Sequence, residues 1–304
     1  MRRIAAVVVT YNRKELLAQC VACLQGQEGA ACEIWVIDNA STDGTGEMIR
    51  GMNAPGLVYK NTGANLGGAG GFYWGINEAV RDGCDELWLM DDDTLPQPGA
   101  LAAFLRADAA LQGRYGWLSS RALTPEGGDQ PMNRQRKTPY RDIDGFDGER
   151  IPAVMASFVS LFLRADTVRR YGLPIKEFFI WSDDWEYTRR ISRREPCYTV
   201  PGSRVVHAMK NSTVVNIAAD TPARLPRYRY FYRNDVVLYR GEGLPGWLWL
   251  LAKDCWHSAQ VICRRLPDGR ARLGVIWRGF AEGVRFHPSI QWPEEKTETI
   301  KRSV

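Results

Sequence analysis

The sequence predicts an α/β fold, a Rossmann-like, mostly parallel sheet flanked by helices, with a helical extension at its C-terminus. Three observations predict it. Short apolar runs alternate with helix-spaced segments over the first 95 residues. The runs are continuously apolar, as in strands buried on both faces. The unusual polar clusters fall at the carboxyl ends of these runs, where open α/β sheets bind ligands.

Taken in order, IAAVVVT (4–10) reads as a strand and RKELLAQCVACLQ (13–25) as a helix with apolar residues at helical spacing. CEIWVIDN (32–39) is a second strand, and TGEMIRGM (45–52) a short helix after the NASTDG turn. LVYKN (57–61), a glycine-rich loop and FYWGINEAVRDG (72–83) supply a third strand and helix, and ELWLM (86–90) a fourth strand. Beyond Pro96 a helix (98–111) and a strand (116–123) follow. The stretch 124–150, rich in Gly, Pro and charge, is a connector or an acceptor-facing loop. AVMASFVSLFLRAD (153–166) is β-like, and WSDDWEYTRRISR (181–193) is a helix with acidic residues in its first turn. From about Leu225 the chain reads as helical. These elements divide into a region 1–215 and a C-terminal helical region 216–304, basic and rich in tryptophan.

A chain of 304 residues, 45% hydrophobic and 25% charged, has the composition of a soluble globular protein, with disorder expected only at the final EEKTETIKRSV. The apolar start is too short for a secretory signal, and no run reaches the length of a spanning helix, which points to the cytoplasm. The nearest candidate span, Leu244 to Leu266, carries Lys253, Asp254 and His257 in its middle. Seven cysteines without framework spacing suit a reducing compartment, and Cys20 and Cys23, lacking a second pair, read as a helical face rather than a zinc or redox motif. From Arg224 to Arg285 there are 12 Lys and Arg against 5 Asp and Glu, a balance of +7, interleaved with tryptophans. That pattern fits peripheral contact with the inner face of an anionic membrane, an oligomer interface, or a solvated helix pair.

Chemistry concentrates at four places. LWLMDDDTLP (87–96) sets three aspartates at a strand end, where repulsion and desolvation both disfavour them. Alternation along an extended chain lets Asp91 and Asp93 converge while Asp92 points away, an arrangement suited to Mg²⁺ or Mn²⁺ with a diphosphate; a solvated acidic turn is the alternative. VVVTYNR (7–13) with VIDNASTDGT (36–45) forms a nucleotide-compatible edge where Asp38 can accept bonds from a ribose or base, or is simply a turn residue. NTGANLGGAGGFYWGI (61–76) lacks both the dinucleotide fingerprint and the P-loop pattern, so its glycines either let backbone approach a nucleotide or sugar, or give a flexible loop. In FFIWSDDWEYTRRI (178–191) adjacent Asp183 and Asp184 open a helix, so that one can act on a substrate hydroxyl while the other orients it, or both cap the helix. His207 follows a β-like run and is a structural residue or a metal ligand.

Together VVVTYNR, VIDNASTDGT, NLGGAGGF, LMDDDTLP and WSDDWEYTRRI, in that order across residues 4–210, resemble the GT-A fold family 2 glycosyltransferases. Within that family the glycine-rich, triple-aspartate and W-x-D-D-x-E-Y segments are similar to bacterial galactofuranosyltransferases, with rhamnosyltransferases as near relatives. The resemblance implies that Thr10, Asn12, Arg13, Asp38, Asn65 and Asp92 bind the nucleotide of a UDP-sugar donor. It further implies that Asp91, Asp93 and His207 hold Mn²⁺ or Mg²⁺, that Asp184 is the general base, and that Asp183 and Trp181 position a glycan or lipid-linked glycan acceptor. Ser182 separates Trp181 from Asp183, where the galactofuranosyl pattern has tryptophan adjacent to the pair.

Two other readings are weighed against this one. A sugar-phosphate nucleotidyltransferase would carry a glycine-rich loop right after the first strand, where this chain has TYNRKELL. A non-catalytic sugar-nucleotide-binding protein would tolerate loss of the metal pair or the base, and all of these are present. Nothing in the chain indicates a nucleic-acid partner.

Overall fold

The computed structural model describes residues 2–52, 54–209 and 215–294; the terminal stretch expected to be disordered lies, beyond Glu294, outside them. The first half of the chain runs β1 (Ile4–Thr10), α1 (Lys14–Gln25), β2 (Glu33–Asp38), α2 (Thr45–Gly51), β3 (Leu57–Asn61), α3 (Gly67–Arg81), β4 (Glu86–Asp91), β5 (Thr94–Pro96), α4 (Ala100–Leu111) and β6 (Leu118–Leu123). It continues through a small hairpin, β7 (Arg136–Thr138) with β8 (Arg141–Asp142), then β9 (Ile151–Pro152), β10 (Leu161–Arg164), α5 (Ala165–Tyr171), α6 (Asp183–Ser192) and β11 (Tyr198–His207). Three helices close the described chain: α7 (Leu225–Arg240), α8 (Leu244–Cys263) and α9 (Gly269–Arg285).

The main sheet is ordered β3-β2-β1-β4-β10-β6-β11-β5, with β9 added on β11. The block β3-β2-β1-β4 is wholly parallel. Beyond it β10 runs antiparallel to β4 and β6, whereas β6 and β11 are parallel to each other. Burial on both faces explains the continuous apolar runs. In β1 the side chains of Ala5, Val7 and Val9 enter the core that contains Phe72 and Ile76 of α3, while Ile4, Ala6 and Val8 enter the opposite core with Leu17 of α1 and Phe104 of α4.

Two expectations need correction. The helix placed at 72–83 begins at Gly67, because its glycines are packing positions rather than a loop: a Cβ on Gly71 would sit 2.5 Å from Val9 Cγ1, and one on Gly75 2.7 Å from Val7 Cγ1 and Ile37 Cγ1. Glycine lets α3 lie close on the sheet at the cost of helix propensity. The β-like stretch 153–166 yields only a 3-10 turn at 158–160 and the short β10, and its last two residues already begin α5. Short apolar runs do not distinguish strand from buried helix or turn.

Among the described residues no helix is long and apolar enough to cross a membrane.

Candidate active site

Register brings the polar clusters together. Parallel pairing sets Val9 against Asp91 and Thr10 against Asp38, so the residues after β1, β2 and β4 emerge at one edge of the sheet. β5 then runs antiparallel to β11 and pairs Thr94 with His207, which returns the histidine to the aspartates.

The three aspartates are compensated unequally. Arg13 Nη1 donates to Asp93 Oδ2 at 2.7 Å and to Asp92 Oδ1 at 3.3 Å, and Thr10 Oγ1 donates to Asp92 Oδ2 at 2.7 Å. Asp92 thus turns back onto the loop after β1. His207 Nε2 lies 3.1 Å from Asp93 Oδ1. Burial disfavours the charge on Asp93, yet His207 and Arg13 hold its carboxyl below the ordinary range. Burial, then repulsion from Asp93, pushes Asp91 up to about 7, and burial carries Asp92 to about 6 against the pull of Arg13. Asp91 is the carboxylate that most lacks a positive partner.

One ligand atom from each of Asp91, Asp93 and His207 falls within 4.8 Å of the others. Two carboxylates and an imidazole suit a divalent cation such as Mn²⁺ or Mg²⁺. The imidazole is prepared for the role: Asn133 Nδ2 donates to Ser157 Oγ at 3.0 Å, which leaves Asn133 Oδ1 to accept from His207 Nδ1 at 2.7 Å. With Nδ1 donating to Asn133, Nε2 is the ring atom turned to the aspartates; it donates to Asp93 and would offer its lone pair to a cation that displaces that proton. Asn133 lies in the stretch read as a connector, and nothing local in the sequence marks it.

Asp38 is fully buried, and its oxygens accept from Tyr59 Oη at 2.6 Å and the Ser41 amide at 2.8 Å. Asn12, at φ 53°, ties two loops together, its amide donating to Ser41 Oγ at 2.8 Å and its Oδ1 accepting the Thr42 amide at 2.7 Å. Asn65 Oδ1 accepts the Gly67 amide at 2.9 Å and so starts α3. These three residues shape the edge beside the aspartates, and their oxygens already serve the protein.

Asp183 and Asp184 open α6 near the metal-type cluster, close enough that Asp91 and Asp184 repel one another. Burial pushes Asp183 up to about 6; burial, then Asp183, drives Asp184 well above the ordinary carboxylate range. Asp184 Oδ1 accepts the Trp185 amide at 2.7 Å. A carboxyl of raised basicity at a helix start, near a cation site, can take a proton from a bound hydroxyl.

The loop leading to this pair is strained and clamped. Phe179, Trp181 and Ser182 have φ of 64°, 65° and 66°, each costing about 1–3 kcal/mol. The side-chain amide of Asn234 on α7 donates to the carbonyls of Phe178, Ile180 and Trp181 at 3.0, 3.1 and 2.9 Å. Ser182 Oγ donates to Asp235 Oδ1 at 2.6 Å, and Lys253 of α8 pairs with the other oxygen of Asp235. On the opposite side the Ala69 amide donates to Phe179 O at 3.2 Å, and any Cβ on Gly67 would overlap that carbonyl. Trp181 packs on Tyr228 and Phe231 of α7, with ring centroids 5.2 and 5.9 Å away. Asn234 and Asp235 come from 53 to 56 positions downstream of their partners, beyond the reach of any sequence window.

The family model described as glycosyl transferase family 2 matches residues 5–164. The chain is 30% identical over 198 residues to the galactofuranosyltransferase GlfT1 of Mycolicibacterium smegmatis, covering 62% of this chain and 65% of that protein. It therefore spans slightly less than two thirds of that relative. It is 35% identical over 105 residues to the abequosyltransferase RfbV of Salmonella typhimurium, 33% of this chain and 30% of that one. The structure of the mannosyltransferase PcManGT from Pyrobaculum calidifontis, in complex with GDP-Man and Mn²⁺, superposes with a TM-score of 0.55 at 17% identity, covering 95% of this chain and 77% of that one, which establishes a shared fold.

Proposed function

Because the chain belongs to glycosyl transferase family 2, we propose that it is an inverting, metal-dependent glycosyltransferase that moves galactofuranose from UDP-galactofuranose to a hydroxyl of a growing cell-surface glycan, acting on the cytoplasmic side. The observation that carries the reading is the Asp91, Asp93 and His207 ligand set, with the Asp183 and Asp184 pair near enough to feel the charge of Asp91. The donor rests on the likeness to GlfT1. The likeness to an abequosyltransferase supports a second reading, a 6-deoxysugar donor such as dTDP-rhamnose.

A Mn²⁺ or Mg²⁺ ion held by Asp91, Asp93 and His207 would offset charge growing on the leaving diphosphate. Thr10, Asn12, Arg13, Asp38, Asn65 and Asp92 belong to the edge where the nucleotide lies, Arg13 adding a half-exposed cation there. Asp184 accepts the proton of the acceptor hydroxyl, and that oxygen attacks the anomeric carbon as its bond to the diphosphate breaks on the opposite face. The new glycosidic bond has inverted configuration, and the proton remains on Asp184 until solvent removes it. Trp181 on the strained loop and Asp183 at the start of α6 orient the acceptor.

The test is Asp184→Asn assayed with the wild type, for donor binding by calorimetry and for product anomer by NMR. Retained binding with turnover lost, and an inverted wild-type product, support the mechanism; a fully active Asp184→Asn removes Asp184 as the base.

A further inference from the structure

Helix α8 is inverted relative to a surface helix of a soluble domain. Its charged residues face the protein: Lys253 contacts Asp235 and Asp254, and Asp254 is 1% exposed. Its outward positions carry no charge, with Leu244 71%, Leu248 59%, Trp256 63% and Ile262 62% exposed. Over 20 residues that face extends about 30 Å, far more than the isolated apolar residues normal on a surface. Arg265 and Arg270 are exposed just beyond its C-terminal end, and Arg278 is exposed midway along α9.

We propose that the outer face of α8 docks, lying flat, on an anionic lipid surface. The charge balance selects this occupant. A second copy of the chain would bring one segment of +7 against another, whereas acidic headgroups would meet the arginines and the leucine and tryptophan side chains would enter the acyl boundary. The ion pair of Lys253 with Asp235 keeps the helix seated on α7 while its other face leaves water. The inference is independent of which sugar is transferred.

Flotation of the full chain with phosphatidylcholine vesicles, with and without phosphatidylglycerol, tests it. The expected result is binding that requires phosphatidylglycerol and falls with salt, is lost in Leu248→Glu with Trp256→Glu, and weakens roughly fivefold for each of Arg265, Arg270 and Arg278 changed to alanine. Quenching of wild-type tryptophan fluorescence by brominated acyl chains gives a second readout that needs no variant. Absence of both flotation and quenching overturns the proposal. So does a dimer, detected by light scattering, that Leu248→Glu with Trp256→Glu converts to monomer, since the face would then join two copies.

Discussion

Replacing Asn234 with alanine removes one side chain, buried and remote in sequence from the acidic pair, on which the geometry of Asp183 and Asp184 depends. Its amide spans three carbonyls at 2.9 to 3.1 Å across a loop with three non-glycine residues at positive φ. Two N–H groups make at best two strong bonds at a time, each contributing about 1–1.5 kcal/mol net. A loss of about 2–3 kcal/mol is comparable with the strain held at one of these residues. The loop then relaxes, and the fraction of molecules with Asp184 in its working position falls roughly 30- to 150-fold. The assay is steady-state transfer with donor titration: kcat falls by that factor while donor affinity, set at the sheet edge, stays within about twofold. Because a structural defect alone would lower the amount of folded protein and leave the kcat of the folded fraction unchanged, activity is normalised to folded protein from the melting curve. Unchanged kcat in a folded Asn234→Ala protein would refute the view that α7 positions the acidic pair.

Two further predictions follow from the same geometry. Asn133→Ala leaves the His207 tautomer unfixed and should weaken Mn²⁺ binding about 10- to 100-fold, read by the Mn²⁺ paramagnetic resonance signal; unchanged affinity would dissociate Asn133 from the cation site. The Asp183 carboxyl, raised by burial from 3.8 to about 6, binds more protons folded than unfolded across that interval, so its contribution to stability falls as pH rises from about 4 to about 6 and is constant above. Asp183→Asn removes this penalty, so its stability relative to the wild type should increase over that window in metal-free urea denaturation; a pH-independent difference would contradict the burial argument.

The sequence made the site's first layer legible and hid what supports it. Strands β1, β2 and β4 could be read because burial on both faces leaves uninterrupted apolar runs, and their ends placed Thr10, Asp38 and Asp91 at one edge. The grouping of Asp91 with Asp93 and His207 was read from strand alternation and motif resemblance; the group forms, but β4 ends at Asp91 and it is the turn at 92–93, not an extended chain, that brings Asp93 beside it. The glycines before Phe72 misled, because glycine permits both a loop and the close approach of α3 to Val7, Val9 and Ile37, and only tertiary packing decides between them. The antiparallel β10 and the helix α5 directly after it share one short apolar run with no turn signal between them. Asn133, Asn234 and Asp235 were invisible for a different reason. Their partners are 74, 53 to 56 and 53 residues away, and a lone polar residue in a connector or helix carries no pattern of its own. Arg13 partly answers why three aspartates tolerate one another: it supplies one of the positive charges from within the chain and leaves Asp91 for an ion.

The most direct test of the central claim is release of nucleoside diphosphate from UDP-galactofuranose and dTDP-rhamnose by the full chain, with an acceptor glycan, in Mn²⁺ and in EDTA, compared with Asp91→Asn paired with Asp93→Asn. The account predicts release from UDP-galactofuranose that EDTA abolishes, Mn²⁺ restores, and the double variant lacks under both conditions. Release that proceeds equally in EDTA, or that survives in the double variant, would contradict the assignment of Asp91, Asp93 and His207 as the cation site.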